Sequence, residues 1–221
     1  MGSLSQKPLN LSIHNDSTVI KSSTPTKKRT KTRSRTLVAP TLVTVKNPKT
    51  LCPFVLEYSI HTGSNKFNRE LLNVFSQIVE PDKFLVIPVF LKCQNDLVGI
   101  GERIDREKDE KLEDFVEWGK TICQKLRGLG YWADLTDPAS GYPIFSDPGP
   151  STYPDVHGAE QLLKYDIFNA GCCHILLHPK WGSKVYPGTL FTTANENCIK
   201  QVINESVFHH SLYEDNGDFR S

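Results

Sequence analysis

Leu112, Phe115, Val116, Gly119, Ile122, Cys123 and Leu126 recur at helical spacing within Glu107 to Leu129. This is the longest periodic run in the chain, and it predicts a long helix with one face turned to a core. Gly128 and Gly130 close it. Gly128-Leu-Gly-Tyr-Trp-Ala133 has the letters of a dinucleotide fingerprint, but that motif must follow a strand and open a helix. Here it ends one, so it reads as helix termination.

Around this helix the apolar runs are short and read as strands: Cys52 to Ile60, Phe84 to Leu91, Tyr131 to Leu135, Cys173 to Leu177 and Lys184 to Thr192. Thr41 to Val45 adds an edge strand. Phe84 to Leu91 is a buried or edge strand, and Pro88 favours an edge or a bulge within it. Asn95-Asp96 turns the chain back into a hairpin strand over Leu97 to Ile104. Three more helices are predicted. One spans 67–79, with Asn65 as N-cap and Pro81 as stop; one lies near 158–165; and one runs from an Asn195 cap to about 204. Asp137 to Asp155 is a long loop dense in Pro, Gly, Ser and Asp, a kind uncommon unless functional or disordered.

Charge divides the chain. Residues 1–50 hold ten Lys or Arg and one acid, whereas the remainder holds 16 bases and 24 acids. The acidic part argues against a nucleic-acid binder. Residues 1–48 are rich in Ser, Thr, Lys and Pro, which reads as a disordered basic segment. Its Lys27-Lys28-Arg29 cluster fits an organelle or nuclear address or a solvated tail. Deleting it is expected to leave the thermal midpoint unchanged. The folded domain is placed at 49–205, with a tail at 206–221. Six cysteines are too few for a disulfide scaffold, and no apolar run is long enough to span a bilayer. These features point to a soluble, intracellular protein with no membrane partner.

The chemistry is concentrated in Asn169-Ala-Gly-Cys-Cys-His-Ile-Leu-Leu-His178. Strand side chains alternate between faces. Cys172, His174, Leu176 and His178 then share one face, and the apolar Cys173, Ile175 and Leu177 share the other and turn to the core. Cys172 falls on the accessible face beside a histidine, where a protonated imidazole would favour the reactive thiolate. No C-x-x-C pair completes a zinc site, and Cys172 and His178 are roughly 20 Å apart on an extended strand. The ordinary alternative is a buried, inert thiol.

Several segments in this order resemble the CblD family, that of the methylmalonic aciduria and homocystinuria type D protein. They are Cys52-Pro-Phe, Gly130-Tyr-Trp-Ala-Asp134, Asp137-Pro-Ala-Ser-Gly141, Gly171-Cys-Cys173, Trp181-Gly182 and Gly188-Thr-Leu-Phe-Thr192. The resemblance covers about residues 50–204. Asn169 and Ala170 stand where the family commonly has an acidic residue.

The resemblance implies an α+β fold like the nitroreductase or flavin-reductase sandwich, with a mixed, mostly antiparallel sheet and flanking helices. It implies a non-catalytic cobalamin (vitamin B12) trafficking adaptor, cytoplasmic and mitochondrial, that binds the type C cobalamin-processing protein, with methionine synthase as a further candidate partner. It directs cobalamin to methionine synthase and methylmalonyl-CoA mutase. The first cysteine of Gly-Cys-Cys ligates cobalt in the family, which is Cys172 here. No cofactor is bound by the chain alone; cobalamin is shared with the partner. The enzyme alternative is a flavin- or thiol-dependent oxidoreductase on the same fold, and a third reading is a plain interaction module.

Overall fold

A computed structural model describes residues 33–76, 83–170 and 173–207. Every described residue belongs to one compact unit, Lys31–Ser221. The predicted stop at Pro81 and the far end of the predicted 67–79 helix lie outside the described residues.

Among the described residues, seven strands and four helices follow in the order β1 (Arg35–Lys46), β2 (Pro53–Thr62), α1 (Asn65–Leu71), β3 (Leu85–Lys92), α2 (Glu102–Gly128), β4 (Ala133–Leu135), α3 (Asp155–Leu163), β5 (Asp166–Ala170), β6 (Cys173–Leu177), β7 (Val185–Thr192) and α4 (Glu196–Asn204). Five strands form one sheet in the order β1-β2-β3-β7-β4, and β5 and β6 form a separate two-stranded sheet. Each strand pairing in the large sheet is antiparallel, so the fold is α+β but the sheet is not mixed.

The sheet is covered on both sides. On one face Leu56, Tyr58, Ile60, Ile87, Val89 and Leu190 pack with Phe115, Trp118, Ile122 and Leu126 of α2 and with Ile199, Val202 and Ile203 of α4. On the other face Val86 joins Phe67 and Leu71 of α1 and Leu162 of α3, while Phe90 joins Ala159, Tyr165 and Leu176. A strand buried on both faces needs no polar alternation. That explains the unbroken apolar run of β3.

β3 is the buried, interior strand of the two alternatives, so the edge that Pro88 favours does not hold. Pro88 pairs with Thr189 of β7, while the ladder to β2 pairs Tyr58 with Val89 and resumes only at His61 with Val86. Proline lacks the N–H that a second ladder would use, and the lapse falls at that position.

Leu97–Ile104 is not a strand. The chain turns there, and α2 already begins at Glu102, with Gly101 before it at φ 139°. The buried Glu107 carboxylate accepts hydrogen bonds from the Gln94 and Asn95 backbone N–H groups and from the Asn95 amide. This ties the turn to the helix instead of to a strand. α1 is capped by Ser64, whose hydroxyl accepts from the Phe67 N–H, and not by Asn65. Asn195 caps α4 as expected.

The boundaries at 49 and 205 also move. β1 lies upstream of residue 49 and pairs along its length with β2, with register shifts around Thr36, Val38 and Thr41. Pro40 sits at the second of these shifts, on an edge strand that tolerates it. Val45 is fully buried, and Leu37, Val38 and Val43 pack on the core. Ser206 accepts a hydrogen bond from Trp118 Nε1, and Val207 bridges Val45. Deleting residues 1–48 is therefore expected to lower the unfolding free energy by at least about 2 kcal/mol, the burial lost with Val45 alone. An unchanged urea midpoint would show that β1 adds nothing to the domain.

The Asp137 to Asp155 segment is organised by one buried side chain. Asp134 Oδ1 accepts from the N–H groups of Leu135, Ile144 and Phe145, and Oδ2 accepts from Ser146. Further along, Gly149 and Ser151 donate to the carbonyls of Val74 and Asn73.

Candidate functional site

β2 alternates as the sequence reads: Phe54, Leu56, Tyr58 and Ile60 against Val55, Glu57, Ser59 and His61. The second set faces the side of the sheet that carries β5 and β6, and Glu57, Ser59 and His61 are buried there. A buried polar group must be paired. His61 Nε2 lies 2.8 Å from Ser59 Oγ, and its Nδ1 lies 3.2 Å from Thr36 Oγ1. Burial lowers the His61 pKa to about 4, so the ring is neutral at physiological pH.

Glu57 is 1% exposed and has three donors. The Tyr165 hydroxyl donates to Oε1 at 3.1 Å, His178 Nε2 donates to the same oxygen at 2.9 Å, and Lys180 Nζ donates to Oε2 at 2.7 Å. Burial opposes ionisation of Glu57, but Lys180 and His178 outweigh it and hold the carboxyl below its ordinary range. Burial lowers the His178 pKa despite the neighbouring carboxylate. The Lys180 N–H donates to His178 Nδ1 at 3.3 Å, which leaves the proton on Nε2, toward Glu57. The Trp181 ring stacks on His178 at 4.4 Å. As a short apolar run, Cys52 to Ile60 does not reveal this cluster. The alternation of β2 was the available signal.

Tyr165 immediately precedes β5, and His178 immediately follows β6. The two strands pair from Asp166–Leu177 at the base to Ala170–Cys173 at the far end. Gly171 and Cys172, which link them in the chain, lie outside the described residues. So does the side-chain environment of Cys173.

The predicted facing of β6 is reversed. Leu176 and His178 are 4% and 2% exposed, whereas Leu177 is 36% exposed and Ile175 half-buried. The even-numbered set turns inward because His178 must reach Glu57 and Leu176 packs with Phe90, Tyr165 and Val185. Strand alternation therefore does not support an accessible Cys172. His174 is exposed although it belongs to the even-numbered set, since it lies toward the far end of the hairpin.

At that end His174 Nδ1 is 2.6 Å from Asn169 Oδ1, and the His157 and His174 rings meet at 4.8 Å. A groove of about 720 Å³ runs between α3 and β5, lined by His157, Gln161, Lys164, Ile167, Asn169 and His174. A second of about 390 Å³ continues from His157 and His174 to Asp155 and Tyr186. Burial raises the Asp155 carboxyl to about 7 against the opposing hydrogen bond from Thr189.

Cys52 is exposed, whereas Cys93, Cys123 and Cys198 are poorer candidates. Burial, reinforced by Glu107, pushes the Cys93 thiol up to about 12, and burial also raises Cys123 and Cys198. Among the described residues no group of three or more His, Cys, Asp or Glu could hold a metal ion. No described helix is long and apolar enough to cross a membrane.

The sequence profile of the methylmalonic aciduria and homocystinuria type D protein family matches residues 9–203, reaching well upstream of residue 50. The cobalamin trafficking protein CblD of Mus musculus is 31% identical over 139 residues, and that of Homo sapiens is 30% identical over 139 residues. In both cases the match covers 63% of this chain and 47% of the relative, so the chain spans about half the length of these curated relatives. The CblD protein of Gallus gallus is 30% identical over 142 residues. With most of its length matched by the family profile, this chain belongs to the family of the methylmalonic aciduria and homocystinuria type D protein.

Proposed function

We propose that this protein is a non-catalytic cobalamin-trafficking adaptor that ligates cobalt through the Cys172 thiolate while a type C cobalamin-processing protein holds the corrin. The observation that carries the reading is family membership together with the place of Gly171-Cys172 in the chain, between two paired strands that end beside an open groove. Soft thiolates suit easily reduced metal centres. Cobalamin is the cargo, and the groove between α3 and β5 offers exposed imidazole and amide groups to whatever approaches the hairpin. The antiparallel sheet covered by helices is compatible with the nitroreductase or flavin-reductase sandwich that the resemblance implies. Delivery to methionine synthase and methylmalonyl-CoA mutase, and residence in cytosol and mitochondria, belong to the same proposal.

The test mixes the full chain with cobalamin-loaded type C protein. A complex is expected by size exclusion, with a thiolate–cobalt absorption change that strengthens as pH rises through the thiol pKa. Cys172→Ser is expected to abolish the absorption change. Cys173→Ser keeps the spectrum. Loss of the spectrum in Cys173→Ser alone moves the ligand by one residue, and loss in neither removes cobalt ligation from this stretch. Recombinant protein that purifies yellow with near-stoichiometric flavin would favour the oxidoreductase instead.

A further inference from the structure

The hairpin β5–β6 is not hydrogen-bonded into the five-stranded sheet among the described residues, so no backbone ladder sets its direction there. Side chains must do so. Leu176 contributes burial against Phe90 and Val185, but apolar contacts are non-directional and permit sliding. The directional contacts converge on a single atom group, the carboxylate of Glu57. Tyr165 reaches it from the residue before β5, and His178 and Lys180 reach it from just beyond β6. Both ends of the hairpin base are thus tied to β2, on the central sheet.

We propose that Glu57 is a positioning residue that clamps the base of β5–β6 to the central sheet and so fixes where the far end of the hairpin is presented to a cobalamin-carrying partner. This rests on the adaptor reading above. The clamp is built for direction. His178 is held between Trp181 at 4.4 Å, Tyr165 at 5.3 Å and Phe90 at 5.5 Å, and its tautomer is set by the Lys180 N–H. Its one free donor can point only at Glu57. A buried charged network is often no more stabilising than an apolar cluster of the same volume; what it adds here is a defined orientation. Replacing the carboxylate by an amide leaves the apolar contacts and one acceptor oxygen in place, but removes the second acceptor and the charge that Lys180 meets, so the direction is weakened. The hairpin should then loosen as a unit while the large sheet, with its own ladders, does not.

The experiment compares the full chain with Glu57→Gln and with Tyr165→Phe, which removes only one hydroxyl. Amide hydrogen exchange by mass spectrometry is read over residues 165–178 and over β2 and β3, and the thiolate–cobalt absorption is read with cobalamin-loaded type C protein. Exchange over 165–178 should rise about tenfold in Glu57→Gln, and by less in Tyr165→Phe, with β3 unchanged. The absorption change should weaken in the same order. Unchanged hairpin exchange in both variants, or a rise shared equally by β3, overturns the clamp whether or not cobalamin binds. Faster exchange with a full absorption change overturns the positioning role. A wild-type protein without any absorption change refutes the adaptor reading instead, and the exchange data still decide the clamp.

Discussion

Phe115→Ala is expected to destabilise the domain by about 4 kcal/mol, the usual scale for emptying a fully buried aromatic site. Phe115 is 0% exposed and lies on the face of α2 that meets the sheet. Its ring packs directly on Gly188 of β7, where a methyl carbon would come within 2.6 Å of two ring carbons and 2.7 Å of a third. The pair is therefore coupled. Gly188→Ala alone should cost about 1–3 kcal/mol by overpacking. In the Phe115→Ala background the added methyl enters the vacated space, so the second substitution should cost little or be stabilising. Urea unfolding of the two single variants and the double variant measures this. Simple additivity would mean that the ring does not depend on the bare backbone at Gly188.

Asp134→Ala should cost about 3 kcal/mol. The carboxylate is fully buried and accepts four backbone hydrogen bonds, and leaving a buried N–H unpaired costs about 1–3 kcal/mol. Ile144 keeps a second acceptor, the Leu135 carbonyl, and Phe145 and Ser146 are partly exposed so that water can reach their N–H groups, whereas Leu135 is fully buried. The sum is therefore less than four full penalties. Asp134→Asn keeps one acceptor oxygen and should lose about half as much. The effect should be local as well as global: amides of 143–146 should exchange faster than those of β3. A loss under about 1 kcal/mol would show that the Gly149 and Ser151 contacts to the 73–74 turn hold the segment without Asp134. The segment borders the groove at His157 and His174, so its order bears on what that groove can receive.

The α2 stripe was legible because its information is local. Phe115, Gly119, Ile122, Cys123 and Leu126 repeat at one helical face, and all five are buried. Strands β2, β3, β6 and β7 were legible for the same reason, as short apolar runs between turn residues. The false strand at Leu97–Ile104 shows the limit. Its apolar residues suited a strand, but Glu107 on the following helix captured the turn through three hydrogen bonds. In the site, Cys172 stands out both by strand alternation beside His174 and by the family resemblance, whereas Tyr165, Lys180 and Glu57 do not stand out in the sequence. Nothing near them in the chain marks them as partners.

The sequence by itself determined most of the elements and the family, though not β5 or the 97–104 turn, because periodicity, turn residues and motif spacing are properties of neighbouring residues. Only the tertiary structure decided which face of β6 turns inward. Cys173 to Leu177 carries apolar residues on both faces, so burial alone does not choose between them. The choice is made by a carboxylate on β2, 121 residues from His178, which is too costly to bury without that histidine, Tyr165 and Lys180 as donors.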